Sequence, residues 1–270
     1  MNYRKPSEAA EYIKTAVSKI TAETAILTGT GMVGISDMME NTIRIPYSDI
    51  PYFPESTVAS HAGECIIGTI GGKQIILFSG RFHYYEGYKM EQIVFPVRVM
   101  KILGIKNLLM TNASGGLNEN FSGGDIVVVS DHINLMPRNP LRGKNDARFG
   151  IRFPDMLNAY SKKFRALIKE QMGDDYKEGV YVAMAGPSLE TPSEYNYIHN
   201  IGGDLVGMST VPEVIAAVHC EIEVAVFSVV SNMCYPIESL EVTTLEEVIG
   251  AVAASAPKLN LVLKQMCSVL

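Results

Sequence analysis

Cysteine is scarce in this sequence. The four residues, Cys65, Cys220, Cys234 and Cys267, are scattered, with no Cys-x-x-Cys pair and no spacing typical of metal ligands. The pattern argues against a disulfide framework and predicts buried free thiols in a reducing cytoplasm. A structural metal site is not expected either, because such sites need clustered ligands.

Long apolar runs and an excess of basic residues are also missing. No stretch of about 18 apolar residues occurs, so a membrane-spanning helix is not expected. Glu8 and Glu11 interrupt the N-terminal segment, which argues against a secretory signal. The formal net charge is −6, whereas a sequence-independent nucleic-acid binder needs a broad basic face. Nucleic acid and membrane are therefore not expected as partners, and an anionic substrate would need a local cluster of donors.

What is present is an alternation of apolar strands and helical patterns. The chain has 270 residues, 47% of them hydrophobic, which suits one large domain over 1–270. Val-, Ile- and Leu-rich runs flanked by helices indicate a sheet covered on both faces, and Gly71-Gly72 between two runs indicates a hairpin. The predicted fold class is therefore α/β, with three α/β/α layers and a mixed, twisted central β-sheet. The predicted strands are 25–29, 65–71, 74–80, 107–112, 125–131, 179–186 and 224–232, and the predicted helices lie near 7–20, 89–103, 157–172, 192–200, 211–220 and 244–268.

The Gly-x-Gly-x-x-Gly spacing of residues 29–34 matches the dinucleotide-binding fingerprint. That fingerprint needs a crossover helix and a second central strand ending in an acidic residue. Asp49 has suitable spacing, but nearby prolines break the segment around it. A nicotinamide cofactor is therefore not predicted. The glycine turn either binds an anion through its backbone N–H groups or only bends the chain. The small residues of 111–117 could likewise either approach a ligand closely or form an ordinary turn.

Further polar residues follow predicted strands, where open α/β sheets bind their ligands. Arg81, within the segment 79–88, could hold an oxyanion or be a buried structural arginine among tyrosines. Glu190 could accept from a heterocyclic N–H or simply face a helix dipole. Ser209 could cap the next helix and also donate to an anion, and Asn232 could read a base edge or form a turn. The sequence lacks Gly-x-Ser-x-Gly and His-Glu-x-x-His, so the combination predicts a site that binds phosphate and a polar heterocycle without a metal or a covalent nucleophile.

Several motifs, in this order, resemble those of the trimeric purine nucleoside phosphorylases. They are GTG at 29–31, GRFHYYEGY at 80–88, AGPSLET at 185–191 and GMSTVPEV at 207–214, and the similarity spans nearly the whole chain. The resemblance implies a purine/uridine phosphorylase-like fold and reversible phosphorolysis of 6-oxopurine nucleosides such as inosine and guanosine. Inorganic phosphate is then a co-substrate, and no cofactor is implied.

The resemblance also implies roles for individual residues. Catalysis would depend on His83, Glu190 and Asn232. The residues implied to bind phosphate are Thr30, His61, Arg81, His83, Ala113 and Ser209. The residues implied to contact the nucleoside are Tyr85, Phe153, Tyr181, Leu189, Glu190, Val206, Met208, Asn232 and Leu245. Phe153 lies in the long aperiodic stretch 134–155 and would reach a neighbouring subunit's site in a homotrimer.

Three positions depart from the family pattern. Leu245 stands where a histidine often contacts the ribose 5′-hydroxyl, so a less polar 5′ group could be better tolerated. Leu189 replaces an aromatic residue that often precedes the base-reading glutamate, and Ser114 stands where alanine is common.

Two alternative functions remain open at this stage. A methylthioadenosine phosphorylase of the same superfamily would favour the apolar Leu245, but that group has aspartate where Asn232 stands. A non-catalytic nucleoside-binding protein would recognise purine without needing Arg81, His83 and the glycine-rich loops for phosphate.

Overall fold

The structure is a computed structural model that describes residues 3–29, 31–32, 34–55 and 63–270. Thr30 and His61, both predicted to bind phosphate, lie outside the described residues. The strands are β1 (Thr24–Thr28), β2 (Glu40–Pro46), β3 (Glu64–Ile70), β4 (Lys73–Ser79), β5 (Asn107–Gly116), β6 (Ile126–Asn134), β7 (Lys177–Ala183), β8 (Leu205–Gly207) and β9 (Glu223–Met233). The helices are α1 (Arg4–Thr15), α2 (Met90–Ile93), α3 (Phe95–Leu103), α4 (Lys162–Met172), α5 (Pro192–Asn200), α6 (Val211–His219) and α7 (Leu245–Val269).

The described strands form one mixed sheet, as predicted. Their order is β2-β3-β4-β1-β5-β8-β7-β6-β9, and β1 lies parallel to both β4 and β5. β5 also pairs with β9, so β5, β8, β7, β6 and β9 close on themselves as a small ring of strands. The sequence predicted the mixed sheet but not this closure, because β8 is only three residues long and gives no periodic signal.

Helices cover both faces of the sheet, which confirms the three-layer prediction. Along β1, Ala25 and Leu27 pack into one core cluster and Ile26 into another, because successive side chains of a strand point to opposite faces. Helices α1, α3 and α6 contribute to the first cluster, and α4 and α7 contribute to the second. Within the described residues, no helix is long and apolar enough to cross a membrane.

Most predicted elements are found within a few residues of their predicted bounds. The predicted hairpin is β3–β4, and its turn residues Gly71 and Gly72 have φ of 58° and 78°, values that glycine adopts without strain. The predicted helix 89–103 is instead two helices, α2 and α3, because Pro96 lacks the N–H that a continuous helix would use. α4 begins later than predicted, at Lys162, because the Ser161 hydroxyl caps it by accepting from the Phe164 N–H.

The segment after β1 is incompatible with a dinucleotide-binding unit. A short 3-10 turn, Ser36–Met38, stands where a crossover helix would be needed. The chain then enters β2, which pairs only with β3, in antiparallel orientation, at the edge of the sheet. In the described residues 34–55, the strand that follows the glycine turn is thus an antiparallel edge strand, whereas the dinucleotide-binding fingerprint needs a parallel second strand.

The long loop between β6 and α4 is anchored at its centre by a buried histidine. His219 Nδ1 lies 2.6 Å from Arg98 Nη1, and Nε2 lies 3.0 Å from Asn145 Oδ1. Because arginine only donates, His219 accepts at Nδ1 and donates at Nε2, and is therefore neutral. Arg98 also lies over the Phe149 ring, at 4.7 Å from its centroid. Burial and the nearby Arg98 charge lower the pKa of His219 to about 4.

This arrangement predicts an acid-sensitive stability. An unfolded histidine titrates near 6.5, so the unfolded chain takes up a proton before the native chain as pH falls. The free energy of unfolding should therefore decrease by on the order of 2 kcal/mol between about pH 6.5 and 4. Urea unfolding followed across this range tests it, and His219→Gln should flatten that part of the profile. An equally steep profile in the variant would show that other groups are responsible.

Candidate active site

A cavity of about 400 Å³ opens among the segments that follow β4, β7 and β8, the C-terminal part of β5, the end of β9 and the start of α7. Its wall brings together residues that lie far apart in the sequence. Of the predicted site residues, those that line it are Arg81, His83, Tyr85, Ala113, Leu189, Glu190, Val206, Met208, Ser209, Asn232 and Leu245. Residues predicted to bind phosphate and residues predicted to read the purine base therefore line the same cavity.

Arg81 follows β4 and is held from several sides. It is 1% exposed, and its Nη1 donates to the hydroxyls of Ser209 and Thr210, each at 2.9 Å. Its Nη2 donates to the Thr111 carbonyl at 2.7 Å, and its Nε lies 3.8 Å from Glu213 Oε1. A buried guanidinium with fixed donors supplies positive charge to the cavity at little cost in side-chain entropy.

The glycine turn after β1 allows the backbone to approach this arginine closely. A Cβ on Gly29 would lie 2.9 Å from the Thr111 carbonyl oxygen and 3.6 Å from Arg81 Cζ. Any larger residue would collide with β5, so glycine is required here for close packing rather than for a dinucleotide. Gly29 also lines the cavity.

Ser209 does not cap the following helix, contrary to the sequence-based expectation. The N-cap position of α6 is Thr210, and no side chain there accepts a capping hydrogen bond. The Ser209 hydroxyl is instead engaged by Arg81 and lies 3.1 Å from the Thr210 hydroxyl. Tertiary contact with Arg81 therefore displaces the local capping interaction.

His83 is oriented by the glutamate three residues later. Its Nδ1 lies 2.8 Å from Glu86 Oε1, and the same carboxylate accepts from the His83 backbone N–H. Since a carboxylate only accepts, Nδ1 of His83 carries the hydrogen of this contact. The His83 ring stacks on Tyr85 with centroids 4.7 Å apart, and burial raises the pKa of Tyr85 to about 12.

Glu190 lies in the loop before α5 but takes no part in capping that helix. Thr191 is the N-cap residue, and it exchanges capping hydrogen bonds with Glu194. The dipole interaction that the sequence left open for Glu190 is thus made by Glu194. Burial raises the pKa of Glu190, partly offset by hydrogen bonds from its backbone N–H and the Tyr195 side chain.

Asn232 is positioned near the end of β9 by two neighbours in the sequence, Ser231 on the strand and Cys234 just beyond it. Its Oδ1 accepts from the Ser231 hydroxyl at 2.8 Å, and its Nδ2 donates to Cys234 Sγ at 3.2 Å. Burial raises the pKa of Cys234 to about 11, and its thiol also hydrogen-bonds with Tyr195. Asn232 is therefore a fixed amide in the cavity wall rather than a turn-forming residue.

Two predicted nucleoside contacts lie away from the cavity wall. Tyr181 is 0% exposed, and its hydroxyl accepts from the Ser209 backbone N–H at 3.4 Å, so it supports the wall from behind. It does not line this cavity, because its side chain packs into the core cluster. Phe153 is 83% exposed in the long loop and does not line the cavity of its own chain.

Sequence reasoning missed several residues of the site. Tyr195 and Cys234 line the cavity, and Thr210 and Glu213 contact Arg81. Cys234 had a weak signal, because it lies two residues beyond Asn232, which was already a candidate. Thr210 and Glu213 had none, since each is defined by a contact more than a hundred residues away.

Comparisons with known proteins agree with this geometry. The family model of the phosphorylase superfamily matches residues 23–268. Purine nucleoside phosphorylase 1 of Geobacillus stearothermophilus is 49% identical over 236 residues, which cover 86% of each chain. The structure of isoform 2 of purine nucleoside phosphorylase from Schistosoma mansoni with cytosine and ribose-1-phosphate superposes with a TM-score of 0.93, at 39% identity, covering 100% of this chain and 97% of that one.

A second Schistosoma mansoni purine nucleoside phosphorylase structure, in complex with inosine, gives a TM-score of 0.92 at 38% identity, covering 100% of this chain and 97% of the other. The agreement of sequence and fold extends over essentially the entire chain and includes the strands and loops that build the cavity. This chain therefore belongs to the phosphorylase superfamily and, within it, to the purine nucleoside phosphorylases.

Proposed function

We propose that this protein catalyses the reversible phosphorolysis of 6-oxopurine ribonucleosides and deoxyribonucleosides by inorganic phosphate. The observation that carries the proposal is that two sets of polar side chains, one suited to an anion and one suited to a purine base, line the same cavity. Arg81 and Ser209 offer donors suited to an oxyanion, and Glu190 and Asn232 offer the acceptors and the donor suited to a purine edge. The complexes of the Schistosoma mansoni enzyme with inosine and with ribose-1-phosphate support this assignment.

The sugar undergoes the bond exchange. A phosphate oxygen forms the new bond to C1′ while the bond from C1′ to the purine N9 breaks, and the electron pair leaves with the base. Positive charge develops on the ribose ring, as at other glycosidic centres. Bound phosphate, held by Arg81, Ser209 and the Ala113 backbone, stabilises that charge and is already positioned to attack.

The leaving base is stabilised through its edge. Asn232 hydrogen-bonds near N7 and O6, which favours protonation of the departing purine. Glu190 accepts from N1–H and, in guanosine, from the 2-amino group. Leu189 and Val206 line the apolar part of the pocket, so the developing charge meets fixed groups in a partly desolvated site.

This arrangement disfavours 6-aminopurines. Adenine has a lone pair at N1 in place of the hydrogen, so the Glu190 oxygen that faces N1 would lose its donor and meet a second acceptor. An unpaired buried acceptor costs about 1–3 kcal/mol, and more if it is charged. We therefore expect inosine and guanosine to be preferred over adenosine.

Ribose is assigned to the part of the cavity lined by His83, Tyr85 and Met208. Nδ1 of His83 donates to Glu86, which orients the imidazole ring in the cavity wall. Leu245 also lines the cavity and is 60% exposed. Its apolar side chain makes no hydrogen bond to a 5′-hydroxyl. For this reason a 5′-alkylthio nucleoside is the alternative substrate.

The assembly we propose is a homotrimer in which Phe153 reaches the site of a neighbouring subunit. The support is that Ile151, Phe153 and Leu157 are 68%, 83% and 79% exposed in one loop, an apolar surface that association would cover. We further propose that residues 1–270 form one domain. A cytoplasmic location is consistent with the four buried free cysteines.

The proposal is tested by following base release from inosine, guanosine, adenosine and methylthioadenosine, with and without inorganic phosphate. We expect hypoxanthine or guanine together with ribose 1-phosphate, and only when phosphate is present. Faster cleavage of methylthioadenosine would favour the alternative substrate. Equal release in phosphate-free buffer would exclude a phosphorylase, and binding without any cleavage would indicate a nucleoside-binding protein.

A further inference from the structure

A chain of buried hydroxyl and amide groups lies behind Arg81 and reaches across to β9. The Ser114 and Ser228 hydroxyls lie 2.6 Å apart, and Ser228 donates to Asn112 Oδ1 at 2.5 Å. Asn112 Nδ2 in turn donates to the Thr210 hydroxyl oxygen at 2.7 Å. All of these side chains are at most 3% exposed, and Ser228 and Thr210 are 0% exposed. None of the four has been given a direct part in the proposed reaction.

The direction of each hydrogen bond at Thr210 follows from its neighbours. Arg81 has only donors, and the Asn112 Nδ2 group is also a donor. Thr210 Oγ1 accepts from both, at 2.9 and 2.7 Å, so both lone pairs are occupied. Its own hydrogen is therefore left for the Ser209 oxygen, 3.1 Å away.

The same reasoning fixes Ser209. Its oxygen accepts from Arg81 Nη1 at 2.9 Å and from Thr210, which again occupies both lone pairs. The hydrogen of the Ser209 hydroxyl remains, and Ser209 lines the cavity. An ordinary serine can rotate to donate or accept, whereas this one presents a donor.

The other end of the chain fixes Asn112. The Ser228 hydrogen is committed to Asn112 Oδ1, so Ser114 must donate to Ser228. The amide oxygen of Asn112 therefore faces Ser228 and its NH₂ group faces Thr210. Thr210 also has φ of 74°, which is rare for a β-branched residue and persists only where surrounding contacts enforce it.

We propose that Thr210, Asn112 and Ser228 are positioning residues that hold the Ser209 hydroxyl as an obligatory donor to the anion in the cavity. The inference rests on the proposed function, in which that anion is phosphate. A fixed donor favours an anionic phosphate oxygen over water, because a hydrogen bond to a charged acceptor is stronger than one to a neutral acceptor. The consequence is that Thr210 and Ser228, which do not line the cavity, contribute to the affinity for phosphate through their neighbours.

The decisive experiment compares Thr210→Val, which keeps the shape but removes the hydroxyl, with Thr210→Ser, which keeps the hydroxyl. We expect Thr210→Val to raise the KM for phosphate about tenfold, as for loss of a hydrogen bond in a charged network, while the KM for inosine stays within about twofold. Thr210→Ser should restore the KM for phosphate. Ser228→Ala, farther along the chain, should raise the KM for phosphate about threefold.

Ser255→Ala is the matched control, because it removes another buried serine hydroxyl, one that donates to the Gly124 carbonyl. It should leave the KM for phosphate unchanged. A second readout is the rise in Tm that phosphate produces without nucleoside, which should shrink in Thr210→Val in step with the weaker binding.

The inference is overturned if the KM values for phosphate and inosine rise equally in Thr210→Val, if Thr210→Ser does not restore phosphate binding, or if Ser228→Ala binds phosphate as the unmodified protein does. Failure of the proposed function would look different, because the unmodified protein itself would then show no phosphate-dependent cleavage.

Discussion

Replacing Arg81 with methionine is expected to reduce kcat/KM for phosphate by about 10²–10³, with a much smaller change in the affinity for nucleoside. Removing one partner of a buried, hydrogen-bonded charge pair typically costs about 2–5 kcal/mol. Arg81 is 1% exposed and engages Ser209 and Thr210 directly. Its loss therefore removes both the charge and the fixed donors that the proposal assigns to phosphate.

The variant needs a companion because Arg81 has a buried acidic neighbour. Glu213 Oε1 lies 3.8 Å from Arg81 Nε, and burial already raises the pKa of Glu213 while the Arg81 charge lowers it. Arg81→Met leaves this carboxyl without its cation, so the double variant Arg81→Met/Glu213→Gln separates destabilisation from loss of binding. Arg81→Lys keeps the positive charge but lacks the planar set of guanidinium donors. Its kcat/KM for phosphate should lie between those of the unmodified protein and Arg81→Met.

The variants and the unmodified protein are compared by initial rates at varied phosphate concentration, with Tm measured in parallel. A folded Arg81→Met protein with an unchanged KM for phosphate would remove Arg81 from the phosphate site and with it the mechanism proposed here.

Asn232→Asp is expected to shift base preference toward 6-aminopurines, changing the adenosine-to-inosine ratio of kcat/KM by about 10²–10³. The amide offers one donor and one acceptor, whereas the carboxylate offers acceptors only. Loss of the donor to O6 and repulsion between two acceptors penalise inosine, and a new hydrogen bond from the 6-amino group favours adenosine. Each effect is worth about 1.5–3 kcal/mol when a charged group takes part.

The surroundings of Asn232 can accommodate the substitution. Asn232 Nδ2 now donates to Cys234 Sγ at 3.2 Å, and because the pKa of Cys234 is raised to about 11, the thiol keeps its hydrogen at neutral pH. It can therefore turn and donate to the new carboxylate. Asn232→Ala is the control, since it should lose activity on inosine without gaining any on adenosine. An unchanged base preference in Asn232→Asp would contradict the role assigned to this residue.

Much of the fold followed from local patterns in the sequence. The apolar runs that became β1, β3, β4, β5, β6, β7 and β9 are continuous, and the double glycine at 71–72 suits only a tight turn. The prolines around residue 49 correctly indicated that the segment after the glycine turn is not a central strand. Where the predicted boundary of an element was wrong, a single local feature explains the difference, such as the Ser161 hydroxyl that caps the start of α4.

The candidate site was predictable to the extent that its residues follow strands, since strand ends gather at sheet edges. By itself the sequence determined that Arg81, Glu190 and Asn232 could share one site, because each lies at or just beyond the end of a predicted strand. Ser209 was a candidate because it precedes a predicted helix. Only the tertiary structure decided that Ser209 contacts Arg81 instead of capping a helix, that Thr191 and Glu194 rather than Glu190 cap α5, and that Tyr181 lies behind the cavity wall. The physical reason is that periodicity is a local property of the chain, whereas the choice among hydrogen-bond partners depends on groups brought together from distant positions.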